Sequence, residues 1–160
     1  MSDPVEPSSS DIRMRVASKC NDAAWALIEQ SSLDSTDIAQ LLTLAATARH
    51  HWHEIGNSSN IAHAELLFAW ALARAGVAET SALLAGKALS HFENDGANWE
   101  QAFAHAAMAA ACSAGRDTDG FQRHYSKAEK LGTKLSQKDA VYFHAAFKTV
   151  LEEPNEVASQ

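Results

Sequence analysis

Apolar side chains recur at three- and four-residue steps along nearly the whole chain. Between residues 35 and 55 they fall at Leu41, Leu44, Ala45, Ala48, Trp52 and Ile55, one stripe of a helix with 3.6 residues per turn. The same period joins Phe121, Tyr125, Ala128 and Leu131, and then Ala140, Phe143, Phe147, Val150 and Leu151. Glycines at 56, 76, 96, 115 and 132 close these stretches at intervals of 20, 20, 19 and 17 residues, as C-terminal helix caps do. Helix-start signals fall between them: Asp34 to Asp37, Asn57 to Asn60, Asp117, and Ser136 followed by Asp139, each offering a side-chain oxygen to an orphan backbone N–H. The pattern predicts seven helices near 11–30, 35–55, 59–75, 78–94, 97–114, 118–131 and 137–152. The stretch from Trp99 to Gly115 is alanine on nearly every side, so its backbone can be approached closely from several directions. It is expected in the middle of the fold.

Composition narrows the class further. Alanine takes 32 of 160 positions and all three prolines (Pro4, Pro7, Pro154) lie near the ends, which leaves residues 8 to 153 free of helix-breaking rings. An all-α chain follows, with one domain over residues 10–152 between disordered tails at 1–9 and 153–160. Twenty acidic against thirteen basic side chains give a net charge of −7, which repels phosphates and argues against nucleic acid as a partner. The opening MSDPVEPSSS has neither the basic nor the apolar region of a secretory signal. The most apolar stretch, residues 61–76, carries His63, Glu65 and Arg74, so no membrane partner is expected. Cys20 and Cys112 have no neighbour at metal-ligand spacing and read as free thiols in a reducing, cytoplasmic setting.

The segments ALARAG, ending at Gly76, and AACSAG, ending at Gly115, each close one helix and open another, 39 residues apart. The stretch FAWALARAGVAETSALLAGKAL resembles a tetratricopeptide repeat. Phe68 and Ala69 supply the large-then-small pair, Gly76 the turn, Ser81 the small crossing residue, and Ala88 with Leu89 the second helix. In residues 97–132 Gly115 and Gly120 match Gly76 and Ser81, while Met108 takes the small place of Ala69. Glu65 replaces the large aromatic favoured by the family, the closing proline is missing at Glu93, and 39 residues exceeds the usual period of about 34. The runs ARHHWHEIGNSSNIAHAELLFAWALARAG and NWEQAFAHAAMAAACSAG are also similar to a group of small bacterial tetratricopeptide-like proteins. That resemblance implies a fold and brings no activity and no site residues. The fold it implies is a right-handed stack of antiparallel helix pairs with the seventh helix as a C-terminal cap.

In such a stack the first helix of each pair lines a concave face. The matching positions are His63, Leu66, Trp70 and Arg74, followed by His105 and Cys112. With Trp70 as apolar anchor and Arg74 as a forked donor to a carboxylate, this face would take a protein or peptide partner. Alternatively a terminal helix fills the groove, and Arg74 complements a helix C-terminus. The expected function is accordingly that of a non-enzymatic interaction module, an adaptor or scaffold, as a monomer or homodimer. A small-ligand or metal-binding protein built on a His/Glu cluster is the competing reading.

Polar candidates are few. His50, His53 and Glu54 share one helical face in RHHWHE, but the HExxH order is missing and they are weak metal candidates. His51 borders the apolar stripe, as a half-buried histidine bonded to a neighbouring helix would. Glu65 interrupts an apolar helix, so it lies either at the hairpin edge or buried with a partner such as His51 or His105, and a buried pair would form a polar ligand site. Ser, Thr and Cys occur in no nucleophile-turn pattern and there is no glycine-rich phosphate loop, so neither catalysis nor a cofactor is expected.

Overall fold

The computed structural model of the chain describes residues 6–153. They form seven helices and, among the described residues, no strand: α1 (Ser9–Ile28), α2 (Ser35–Ile55), α3 (Ser58–Arg74), α4 (Ala78–Asp95), α5 (Asn98–Ala114), α6 (Thr118–Gly132) and α7 (Gln137–Phe147). The expected tails lie largely outside the described residues. Residues 8 and 9, assigned to the first tail, instead open α1, because Ser8 and Asp11 cap each other reciprocally. Reciprocal caps of the same kind start α2 with Asp34 and Asp37 and α3 with Asn57 and Asn60. Asp117 caps α6 at the Gly120 N–H.

Each helix packs on its neighbours in sequence, and α1, α3, α5 and α7 also pack in a row on one another. The even-numbered helices make no comparable row among the described residues. The result is a stack of helix pairs with the odd helices as the inner layer. As the alanine pattern predicts, α5 sits in the middle, touching α3, α4, α6 and α7. Its residues Ala102, Ala104, Ala106, Ala107 and Ala109 have no exposed surface.

The last helix is shorter than the sequence suggests. The backbone tightens after Phe147, where the N–H groups of Thr149 and Val150 donate to the carbonyls three residues back and the Thr149 hydroxyl donates to the Ala146 carbonyl at 2.7 Å. These short-range bonds replace the helical ladder and turn Val150 into the core. Ser113 Oγ then donates to the Glu152 carbonyl at 3.2 Å, holding the outgoing chain against α5.

Two helix ends recur along the chain at a spacing of 40 residues rather than 39. α3 ends in a turn where Val77 N–H donates to Leu72 O and Gly76 N–H to Ala73 O. α5 ends in the same turn, with Asp117 N–H to Cys112 O and Arg116 N–H to Ser113 O, the double bond pattern of a Schellman cap. The counterpart of Gly76 (φ 77°) is therefore Arg116 (φ 58°) rather than Gly115. Gly56 and Gly96, also 40 apart, close α2 and α4 with matching extended backbone. In this register Ala109 matches Ala69 and Met108 matches Phe68, so the large-then-small pair is kept, while Ser81 is matched by buried Phe121 and not by Gly120.

A left-handed residue with a side chain carries a cost that glycine escapes. Gly76→Ala is expected to lower unfolding stability by about 1–2 kcal/mol. Arg116→Gly is expected to raise it by about 0.5–1 kcal/mol, strain relief less the greater backbone entropy of glycine. Urea unfolding of the two variants checks both signs.

Candidate functional site

The inner layer leaves a cleft of about 500 Å³ between α1, α3, α5 and α7. From α1 it takes Asp22, Trp25 and Ala26 and, from the residue that ends this helix in the same right-handed backbone, Glu29, spaced so that all four share one helical face. His63 and Leu66 come from α3, Trp99, Glu100 and Phe103 from the first turns of α5, and Asp139 and Tyr142 from α7. The floor is a set of crossed rings: Phe103 stands edge-on to Trp25 at 5.5 Å, to Trp99 at 6.1 Å and to buried Phe143 at 5.5 Å. Such edge-to-face pairs fix ring orientation as well as burying area. Tyr142 is 62% exposed at the rim.

His63 is held within this wall. Its Nε2 lies 2.7 Å from Glu100 Oε1, and since a carboxylate only accepts, Nε2 carries the hydrogen. The other Glu100 oxygen accepts the Ala97 N–H at 2.8 Å. Asp139 is similarly tied to Ser136 at the start of α7. The carboxylate of Glu29 makes no hydrogen bond or ion pair among the described residues, and Asp22 has only a long 3.5 Å contact from Asn21.

Of the six residues assigned to the concave face, His63 and Leu66 line this cleft and the others do not. Trp70 is wholly buried, covered by Trp25 of α1, whose ring centre lies 5.5 Å away. Arg74 donates to the carbonyls of Ile28 at 2.9 Å and Gln30 at 3.0 Å. It caps the C-terminal end of α1, where burial holds its pKa below the ordinary guanidinium range. Of the two alternatives, an open groove and a groove filled by a terminal helix, the second holds at Trp70 and Arg74, where α1 closes it. Cys112 is buried too, and burial together with Asp117 raises its thiol pKa, which keeps it unreactive.

His105 is buried against His124 of α6, Nδ1 to Nδ1 at 3.0 Å, so one ring donates and the other accepts. Burial first, then His124 and Lys127, push its pKa down to about 4. His124 is lowered as well, by burial and by Arg123.

The polar cluster also differs from expectation. Glu65 is buried, but its partners are Arg49 (Nε to Oε2, 2.9 Å) and His53 (Nε2 to Oε1, 2.7 Å) rather than His51 or His105. Burial would raise this carboxyl's pKa; the bonds from Arg49 and His53 outweigh it and hold the group below the ordinary range. His53, expected in an exposed trio with His50 and Glu54, therefore turns toward α3. His51 is half-buried, and its Nδ1 has no partner among the described residues. No group of three or more His, Cys, Asp or Glu side chains able to hold a metal exists among the described residues. No described helix is long and apolar enough to cross a membrane.

The 40-residue register relates these two buried groups. His53 and Glu93 are counterparts, as are Glu65 and His105. The pair between α2 and α3 is His53 with Glu65; between α4 and α5 it is Glu93 with His105 at 3.8 Å, the same two residue types exchanged between the helices.

Sequence reasoning missed most of the cleft. The spacing of Asp22, Trp25, Ala26 and Glu29 was a usable signal, since it sets two acids around one tryptophan on a helix where a plain core stripe would be apolar. Comparison of the chain with known protein families, characterised proteins and solved structures finds no match.

Two outcomes are expected. Trp70→Ala should cost about 3–5 kcal/mol, and Trp70→Phe much less, since the indole N–H has no hydrogen-bond partner among the described residues; thermal unfolding measures both. For pH, His105 is neutral when folded, with its pKa lowered from 6.5 to about 4. Between those values the unfolded chain binds more protons, so stability is present at neutral pH and lost as pH falls from 6.5 toward 4. Glu65, also lowered, adds a loss at still lower pH. Urea unfolding across about pH 4–7 should show this slope, and His105→Gln should flatten its upper part.

Proposed function

We propose that this protein is a non-enzymatic interaction module, a tetratricopeptide-like adaptor or scaffold of the cytoplasm, and that the cleft between α1, α3, α5 and α7 is where its partner protein docks. The observation that carries this reading is the cleft itself: partly exposed Trp25, Trp99, Phe103 and Tyr142 meet in one concavity of about 500 Å³. Aromatic side chains gathered in a recess are the usual anchors of binding energy. Further support comes from how the charged groups are used. The polar groups His53, Glu65, His63 and His105 are each engaged by a neighbouring side chain.

Docking can be tested before the partner is identified. A photo-crosslinking amino acid at Tyr142 should capture a partner in cells, and the same group at Leu83, exposed on α4, should not. Ala26→Trp, a substitution at an exposed position in the cleft, should abolish capture at Tyr142 while changing stability by no more than about 0.5 kcal/mol. Equal capture from Leu83, or none from Tyr142, overturns the reading. A homodimer would show as a crosslink between two copies.

A further inference from the structure

We infer that the cleft selects a partner segment bearing arginine or lysine beside apolar residues, so that the cationic side chain lies over the tryptophans and between the carboxylates of α1. This rests on the docking role proposed above. The cleft wall carries four carboxylates, on Asp22, Glu29, Glu100 and Asp139, and no lysine or arginine. Two of them are already used: Glu100 holds His63 and the Ala97 N–H, and Asp139 caps α7. Glu29 and Asp22 remain, without a cationic partner among the described residues.

These two acids stand seven residues apart on one face of α1 and bracket Trp25 and Ala26, about 10 Å apart along the axis. A guanidinium placed there meets a carboxylate on one side and an indole face on the other, which combines a charge-assisted hydrogen bond with a cation–π contact. Arginine suits such a site better than lysine because its planar, weakly hydrated head stacks on aromatic faces. An acidic segment would bring like charge against at least two unneutralised carboxylates.

Residues 1–5 and 154–160 do not meet the requirement, since they contain no lysine or arginine. A second copy would offer the cleft a lysine patch (Lys127, Lys130, Lys134, Lys138), and the ammonium of lysine stacks on aromatic faces less well than a guanidinium.

The test uses the whole protein and a synthetic helix-forming peptide with two arginines seven residues apart and leucines at the third and fourth positions between them. Matched peptides carry citrulline, which keeps the shape and loses the charge, or glutamate in place of arginine. Binding followed by fluorescence anisotropy should be about tenfold weaker for citrulline, absent for glutamate, and weaker at high salt. Asp22→Asn with Glu29→Gln should weaken the arginine peptide by a similar factor, whereas Glu129→Gln, on exposed α6 surface, should not. If citrulline and arginine peptides bind within twofold, or the double variant changes nothing, the charge selection is wrong while the docking role stands. If no peptide binds but crosslinking at Tyr142 still captures a protein, the inferred chemistry fails and the docking role again survives. If free agmatine binds and peptides do not, the site takes a small amine and both readings fail. Concentration-dependent assembly of the protein alone, abolished by Lys127→Ala with Lys130→Ala, would assign the cleft to a second copy and overturn the inference.

Discussion

Close contact between alanine surfaces is the constraint from which this molecule is built. α5 is touched by four other helices, and a helix can be surrounded at such short range only if almost nothing projects from it. Ala102, Ala104, Ala106, Ala107 and Ala109 provide that smooth surface. The consequence is that the large rings of α5 itself, Trp99 and Phe103, are confined to its first turns. Rings gather where α1, α3, α5 and α7 diverge, at Trp25, Trp99 and Phe103, and the cleft is the space left between elements whose central contacts are tight.

Local chemistry made most of the helices readable. Caps at Asp34, Asn57, Asp117 and Ser136 act within three residues, so a short window of sequence holds the whole interaction. The central place of α5 was legible for a similar reason, because an all-round alanine helix has few other uses. The failures have a common origin in contacts between distant segments. Nothing near Trp70 announces that Trp25 covers it, 45 positions earlier, and nothing near Arg74 indicates that it reaches the carbonyls ending α1. Glu65 is recognisable as a buried carboxylate from its apolar setting, but its partners are not, because both lie on α2, on a face that looks solvent-exposed when that helix is considered alone.

The repeated helix end illustrates how one residue of register alters the meaning of a sequence. Anchoring the two hairpins on Gly76 and Gly115 is natural, since glycine is the usual left-handed residue at a helix end. The chain instead places Arg116 in that conformation. The glycine signal then misleads by one position, and Met108 becomes a false mismatch to Ala69. The hydrogen bonds that close α3 and α5, compared atom by atom, restore the alignment.

The exchanged His–Glu pairs have a consequence for how the helices could be rearranged. Between α2 and α3 the donors Arg49 and His53 stand on the first helix and the buried acceptor Glu65 on the second; between α4 and α5 the carboxylate of Glu93 is on the first helix and His105 on the second. A copy of α5 in the place of α3 would set His105 beside Arg49 and His53 and remove the carboxylate that accepts from them. Duplicating or shuffling the helices would therefore require both members of a pair to move together.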